Sequence, residues 1–201
     1  PLADSGIKLN LFPVEVTDWS EWKRKHPDTT VLAIETGVFA PDQYKREIDP
    51  TAVYHNYFFG SDETMFPVWN KRNDLINKEK VLGLKLGDFQ KAYQLSALRE
   101  LRILNDTVGE TDVVLIASSY SDSARAYEGR GTDFSISLEE EEPGMIPDNL
   151  VDLEGVVWQV AEDGLVSSED SNKILKRLQT YNAFWFAWSS FYPDSELYAP
   201  D

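Results

Sequence analysis

Hydrophobic and polar positions alternate most clearly from Lys80 onward. Val81-Leu82-Gly83-Leu84-Lys85-Leu86 leads into Gly87-Asp88 and then Phe89-Gln90-Lys91-Ala92-Tyr93. Two short runs around a two-residue turn predict a β-hairpin in which the glycine supplies a positive φ. The period then changes, because Leu95, Leu98, Leu101 and Ile103 recur at helical spacing and predict a short helix over 96–104 with those side chains inward. Asn105-Asp106-Thr107-Val108-Gly109 carries turn chemistry. Residues 113–117 are unbroken apolar and read as a buried strand, 118–123 as a polar loop and 124–127 as the partner strand. Further strands are expected at 134–138 and 155–160, with a solvated acidic loop at 139–142 ahead of Pro143-Gly144. Residues 182–191 predict a helix that ends at Pro193.

The N-terminal part is patterned more loosely. Ile7, Leu9 and Leu11 alternate over 7–16, which predicts a short strand or extended entry segment, with Pro13 pushing its end to an edge or turn. Thr17 or Asp18 can cap a following helix, and Asp18 with Glu21 has capping-box spacing. Trp19 and Trp22 share one face of that helix, Lys23, Arg24 and Lys25 suit its negative pole, and His26-Pro27 stops it. Residues 31–34 read as a short buried strand. Between 35 and 80, Pro41, Pro50 and Pro67 punctuate a stretch holding Tyr54, Tyr57, Phe58, Phe59, Phe66 and Trp69. This reads as a long packed connection with short strands and an aromatic core beneath it. A ligand cage or a contact surface for another subunit is the alternative.

One pattern occurs twice. Trp19-Ser20-Glu21-Trp22 with Pro27-Asp28-Thr29 recurs at a constant offset as Trp185-Phe186-Ala187-Trp188 with Pro193-Asp194-Ser195. Upstream the match fades, since Leu9 falls opposite Leu175 but Leu11 opposite Arg177. The physical reading is that each tryptophan pair docks a short helix onto a sheet, with each buried indole contributing about 2–3 kcal/mol. Residues 1–34 are then expected to close a preceding repeat unit. Residues 35–201 would form one complete unit, packed with that segment as a single domain. An upstream unit of the same protein becomes an expected partner.

Composition narrows the classes. The chain has 201 residues, 19 basic and 35 acidic side chains, and a formal charge of −16. Six tryptophans, nine tyrosines and ten phenylalanines argue for a folded core rather than global disorder. The absence of cysteine excludes disulfides, thiolate metal sites and cysteine nucleophiles. So acidic a surface repels phosphate backbones, which argues against nucleic-acid binding. No stretch approaches the roughly 18 apolar residues of a membrane helix, so no membrane insertion is expected. The chain opens at Pro1 without a basic and apolar leader.

Candidate chemistry is sparse. Of the two histidines, His26 reads as a helix-end donor, while His55 beside Tyr57 is the better ligand candidate. No His-x-His or His-x-x-x-His spacing supports a metal site. Ser118 and Ser121 lie on the loop after a buried strand, with Arg125 just beyond, where an anion or sugar hydroxyl could dock. Asp106 is either a turn residue or a buried functional carboxylate. These six, His55, Tyr57, Asp106, Ser118, Ser121 and Arg125, are the ligand-binding candidates. No catalytic residue, metal site or cofactor is expected. No Gly-x-Ser-x-Gly elbow and no calcium-loop spacing occurs.

The motifs together resemble one family. Trp19-x-x-Trp22-x-x-x-His26-Pro27-Asp28-Thr29, Val81-Leu82-Gly83, Lys91-Ala92-Tyr93-x-Leu95, Asn105-Asp106-Thr107-Val108-Gly109 and Phe184-Trp185-Phe186-Ala187-Trp188 carry the likeness. The chain resembles the C-terminal half of the bacterial and archaeal family named domain of unknown function 3179. The resemblance implies a tandem of two such units. It also implies a cysteine-bearing loop in the first unit, where Ser118 and Ser121 stand in this one. The fold expected is α+β, mainly short antiparallel strands in a sheet or partly open barrel with a few short helices. The function expected is a non-catalytic extracytoplasmic module, periplasmic or secreted, that binds a small ligand or protein partner or completes a larger protein. The alternative is a fragment of a redox or hydrolytic enzyme whose active residues lie in a missing upstream unit.

Overall fold

The computed structural model of the chain describes residues 6, 11–44, 48–139 and 142–199. Strands β1 (Lys80–Leu86) and β2 (Phe89–Gln94) form the expected hairpin, with Leu82 opposite Tyr93. Gly87 opens its turn at a φ of 59°, a conformation that a side chain would resist. Helix α3 (Leu95–Leu101) buries Leu95 and Leu98 but leaves Leu101 exposed. It ends earlier than the leucine spacing predicts, because Arg102 turns out of it and the chain enters β3 (Ile103–Val108).

With β4 (Thr111–Ala117) and β5 (Ala124–Glu128), β3 makes a three-stranded antiparallel sheet. Asn105 and Asp106 therefore lie in a strand rather than in the expected turn, which falls at Gly109-Glu110. Sheet neighbours win over local turn chemistry here. The Asn105 amide donates to the Phe134 carbonyl and accepts from the Phe134 N–H, both at 2.9 Å.

A five-stranded antiparallel sheet follows, built from β6 (Phe134–Ile136), β7 (Asn149–Asp152), β8 (Val157–Val160), β9 (Gly164–Ser167) and β10 (Ile174–Lys176). The expected strands at 134–138 and 155–160 are present in shortened form. The others have three or four residues, too few for a period to declare itself. The chain then returns to the first hairpin. Strand β11 (Thr180–Phe184) pairs antiparallel with β1, helix α4 (Trp185–Phe191) follows, and β12 (Glu196–Leu197) pairs parallel with β2. The helix expected at 182–191 thus starts late, since the open edge of β1 claims the residues before Trp185. The fold is α+β, and among the described residues no sheet closes into a barrel.

Side-chain alternation stacks these pieces in layers. Leu82 and Leu84 of β1 meet Val113, Leu115 and Ala117 of β4 in one core. The opposite face of β4, Val114 and Ile116, joins Tyr127, Phe134, Leu150 and Trp158 in a second. The three-stranded sheet is covered on both sides, so its middle strand reads as a continuous apolar run. On the outer face of β1, Val81 with Ala92 receives Trp185 and Trp188 of α4. Gly83 lies under Trp188, and a methyl group there would collide with the indole ring.

The N-terminal part departs most from expectation. Helix α1 (Trp19–Lys25) forms as predicted, with the Asp18 carboxylate accepting from the Glu21 N–H at 2.9 Å. Its tryptophans, expected to dock onto a sheet, instead face outward. Trp19 is 52% and Trp22 42% exposed, against 0% and 3% for Trp185 and Trp188. Residues 31–34 are exposed coil rather than a buried strand, because no sheet edge of the described chain receives them. Residues 35–79 hold a 3₁₀ turn (Pro41–Gln43) and helix α2 (His55–Phe59) but no strand among the described residues. Tyr54, Phe58, Phe59, Phe66 and Trp69 are exposed, so among the described residues no aromatic core lies beneath this connection. The expected alternation over 7–16 falls partly on residues 7–10, outside the described ones, and residues 11–16 are extended without strand pairing. Residues 140 and 141 of the acidic loop also lie outside.

Candidate functional site

The densest charged constellation sits where the segment before α1 crosses the open ends of β4 and β5. Arg125 projects from β5 among Ala124 and Ala126, so its guanidinium is 4% exposed and needs counter-charges. Glu15 supplies one, accepting from Arg125 Nε at 2.5 Å and from Arg177 at 3.4 Å. Glu162 supplies the other, accepting from Arg125 at 3.0 Å and from Arg177 at 3.0 Å. Two arginines and two glutamates thus form a closed ring in which each carboxylate bridges both cations. Burial works against the Arg125 charge, but Tyr127, Glu15 and Glu162 more than offset it and hold the guanidinium above its ordinary range. Burial likewise opposes the Glu162 carboxylate, while Arg125 and Arg177 keep it below the usual range.

The 118–123 loop closes the same corner. The Ser121 hydroxyl donates to Glu21 Oε2 at 2.8 Å, and Thr17 donates to the same oxygen at 3.0 Å. Ser123 donates to Glu15. Glu21, on the inner face of α1, is 3% exposed, and its second oxygen, Oε1, is buried without a hydrogen-bond partner among the described residues. Between α1 and this corner lies a cavity of about 280 Å³, lined by Glu21, Lys25, His26 and the arginine–glutamate ring, with Trp22 and Ile146 as apolar walls. Burial, and then the Arg125 charge, push the Lys25 ammonium below its ordinary pKa range. His26 caps α1 through its backbone N–H and packs its ring, tilted by 35°, against Trp22 with ring centres 4.1 Å apart. Arg24 ties the helix to Glu142 at 3.3 Å and Asp148 at 3.5 Å.

The six residues singled out from sequence fall into four places. Ser121 and Arg125 meet at this corner. Ser118 is buried just behind it, donating to the Gly144 carbonyl at 3.2 Å and accepting from the Tyr120 N–H. Asp106 lies on β3 and accepts from the Tyr93 hydroxyl at 2.8 Å and Lys91 Nζ at 2.7 Å. Burial first, and then the Asp106 charge, raise the Tyr93 phenol far above its usual range, so that pair is a fixed donor and acceptor. His55 and Tyr57 sit on α2, where His55 lies 5.2 Å from the Phe59 ring and Tyr57 packs edge-on to Phe58 and Phe184.

Sequence reading missed Glu15, Glu21, Lys25, Glu162 and Arg177. Glu15 between Val14 and Val16 carried the one usable signal, a charge set in an apolar run that calls for a buried counter-ion.

The two tryptophan helices share their local geometry down to single atoms. Trp22 Nε1 donates to Thr29 Oγ1 at 2.9 Å, and Trp188 Nε1 donates to Ser195 Oγ at 2.8 Å. His26 ends α1 at φ −129° and ψ 67°, and Tyr192 ends α4 at φ −130° and ψ 73°. Around α4 the site is filled. Arg72 stacks 4.9 Å from the Trp185 ring, pairs with Asp74, and donates to the Ser195 carbonyl at 2.5 Å. Around α1 the equivalent face meets solvent.

Among the described residues no helix is long and apolar enough to cross a membrane, and no group of three or more metal-ligating side chains gathers. No curated protein and no solved structure matches the chain. A family model described as a protein of unknown function (DUF3179) matches residues 3–195, nearly the whole length. The chain therefore belongs to the DUF3179 family.

Proposed function

We propose that this chain is a non-catalytic, partner-binding module whose sheets present the indole face of α1 to another protein surface. The observation that carries the reading is the contrast between α1 and α4. The same helix, stop and indole hydrogen bond recur, yet Trp185 and Trp188 are buried on a sheet while Trp19 and Trp22 are half in water. The partner face is then a second antiparallel sheet of this family's kind, with a glycine beneath Trp22 as Gly83 lies beneath Trp188. Such a sheet belongs to a further repeat unit, with residues 1–34 closing that unit and 35–201 forming the next. The exposed Phe59, Phe66 and Trp69 add apolar surface of the sort that marks contact regions. The arginine–glutamate ring supports a structural role at that boundary, because its charges are satisfied by one another and pin the segment before α1 onto β5. Extracytoplasmic residence belongs to the same proposal, and a chain without cysteine is compatible with either side of a membrane.

Photo-crosslinking tests this. A benzophenone amino acid replaces Trp19 in the protein expressed in its native cells, and cross-linked peptides are sequenced. The proposal expects attachment to a glycine-bearing β-strand of a DUF3179 sheet. Attachment to solvent-exposed sites of unrelated proteins, or none at all, overturns it.

A further inference from the structure

Once the arginine–glutamate ring is set aside as self-neutralised, two charges remain on the cavity wall. Glu21 and Lys25 stand one turn apart on α1, yet they do not pair. The Glu21 carboxylate is drawn the other way by the hydroxyls of Thr17 and Ser121. Its Oε1 is left buried with no donor, and Lys25 lines the same cavity with no ion-pair partner among the described residues. An unsatisfied buried carboxylate oxygen costs free energy unless something donates to it.

The chemistry of the occupant follows from what the walls lack. A hard cation needs six or more oxygen ligands, and among the described residues lining the cavity only one free carboxylate oxygen is available. A simple anion finds the two arginines already claimed by Glu15 and Glu162. The ring is neutral and Glu21 with Lys25 is neutral, so the cavity favours no net charge on its guest. What fits is a molecule with an N–H cation at one end, for Glu21, and a carboxylate at the other, for Lys25. Trp22 and Ile146 provide apolar contact for a short side chain. A cavity of about 280 Å³ lies at the small end of ligand sites.

We propose that the cavity beneath α1 binds a small zwitterion of the α-amino-acid class, its ammonium on Glu21 and its carboxylate on Lys25. The charge of a carboxylate against Lys25 also offsets the burial and the Arg125 charge that hold its ammonium below the ordinary range.

The test is isothermal titration calorimetry of the whole chain with glycine, L-alanine, L-serine, L-threonine and L-valine in turn. Each is compared with its N-acetyl form, which lacks the ammonium, and its amide, which lacks the carboxylate. Saturable one-to-one binding of at least one amino acid is expected, weakened at least tenfold in both blocked forms. Glu21→Gln and Lys25→Met should each weaken it at least tenfold while circular dichroism stays native. Should Glu21→Gln fail to fold, Lys25→Met alone decides. No heat from any of the five, equal binding of the blocked forms, or binding untouched by Lys25→Met overturns the proposal.

Discussion

Removing one indole from each of the paired motifs separates packing from mere likeness of sequence. Trp188 is 3% exposed, its ring lies over Gly83 and beside Tyr181 and Tyr192, and its N–H bonds Ser195. Trp188→Ala deletes a filled volume that Gly83 has no side chain to reclaim, and a buried aromatic truncated in this way costs about 3–5 kcal/mol. Trp22 makes the corresponding hydrogen bond, but nearly half of its surface is already in water. Trp22→Ala therefore forfeits about 1–1.5 kcal/mol of apolar burial. In a chain of this size a kcal/mol moves the melting temperature by about 2–4 °C, so the two variants should differ by several degrees. Urea unfolding followed by far-ultraviolet circular dichroism, with unchanged m-values, gives both numbers. Equal losses, or a larger one for Trp22→Ala, would refute the claim that the indole face of α1 is uncovered in this chain.

Other perturbations probe the same account. Gly83→Ala drives a methyl group into the Trp188 ring and should destabilise by about 1–3 kcal/mol, and Gly83→Ala combined with Trp188→Leu should cost less than the sum of the two single changes, measured by urea unfolding. Arg125→Met leaves Glu15 buried without its closest cation and should cost about 3–5 kcal/mol in thermal or urea unfolding, whereas Arg130→Met, at an exposed pair, should cost under about 1 kcal/mol. Burial works against the Asp152 carboxylate, but the Trp158 indole and the backbone N–H groups of Val156 and Glu154 more than compensate and hold its pKa below the ordinary aspartate value. That contribution is present above the unfolded-state pKa of about 3.9 and is lost as pH falls through the lower folded value. Asp152→Asn should accordingly flatten the acid limb of the melting profile, and an unchanged limb would contradict the assignment.

What could be read from the sequence was local or two-sided. The β1–β2 hairpin declared itself through Gly87 between two apolar runs, and β4 through five apolar residues in a row, covered by sheets on both faces. Asp18 announced the start of α1, and Arg125 was legible as a cation just beyond the serine loop. The rest required distant partners. Asn105 and Asp106 have turn propensity, yet Phe134, Tyr93 and Lys91 draw them into a strand. Thr180 to Phe184 joined β1 because that edge was open, which no pattern within the segment records. Glu15 and Arg125 are far apart along the chain, so each charge was visible while their pairing was not. The aromatics from Tyr54 to Trp69 signalled apolar surface that needs covering, and pattern alone could not distinguish covering by this chain from covering by another.

Hydroxyl-radical footprinting of the four motif tryptophans examines the docking claim at its source. In the purified chain, Trp19 and Trp22 should oxidise readily while Trp185 and Trp188 stay protected. In the protein footprinted within its native cells, all four should be protected to the same degree. Trp19 and Trp22 oxidising as fast in cells as in the purified chain would contradict the account.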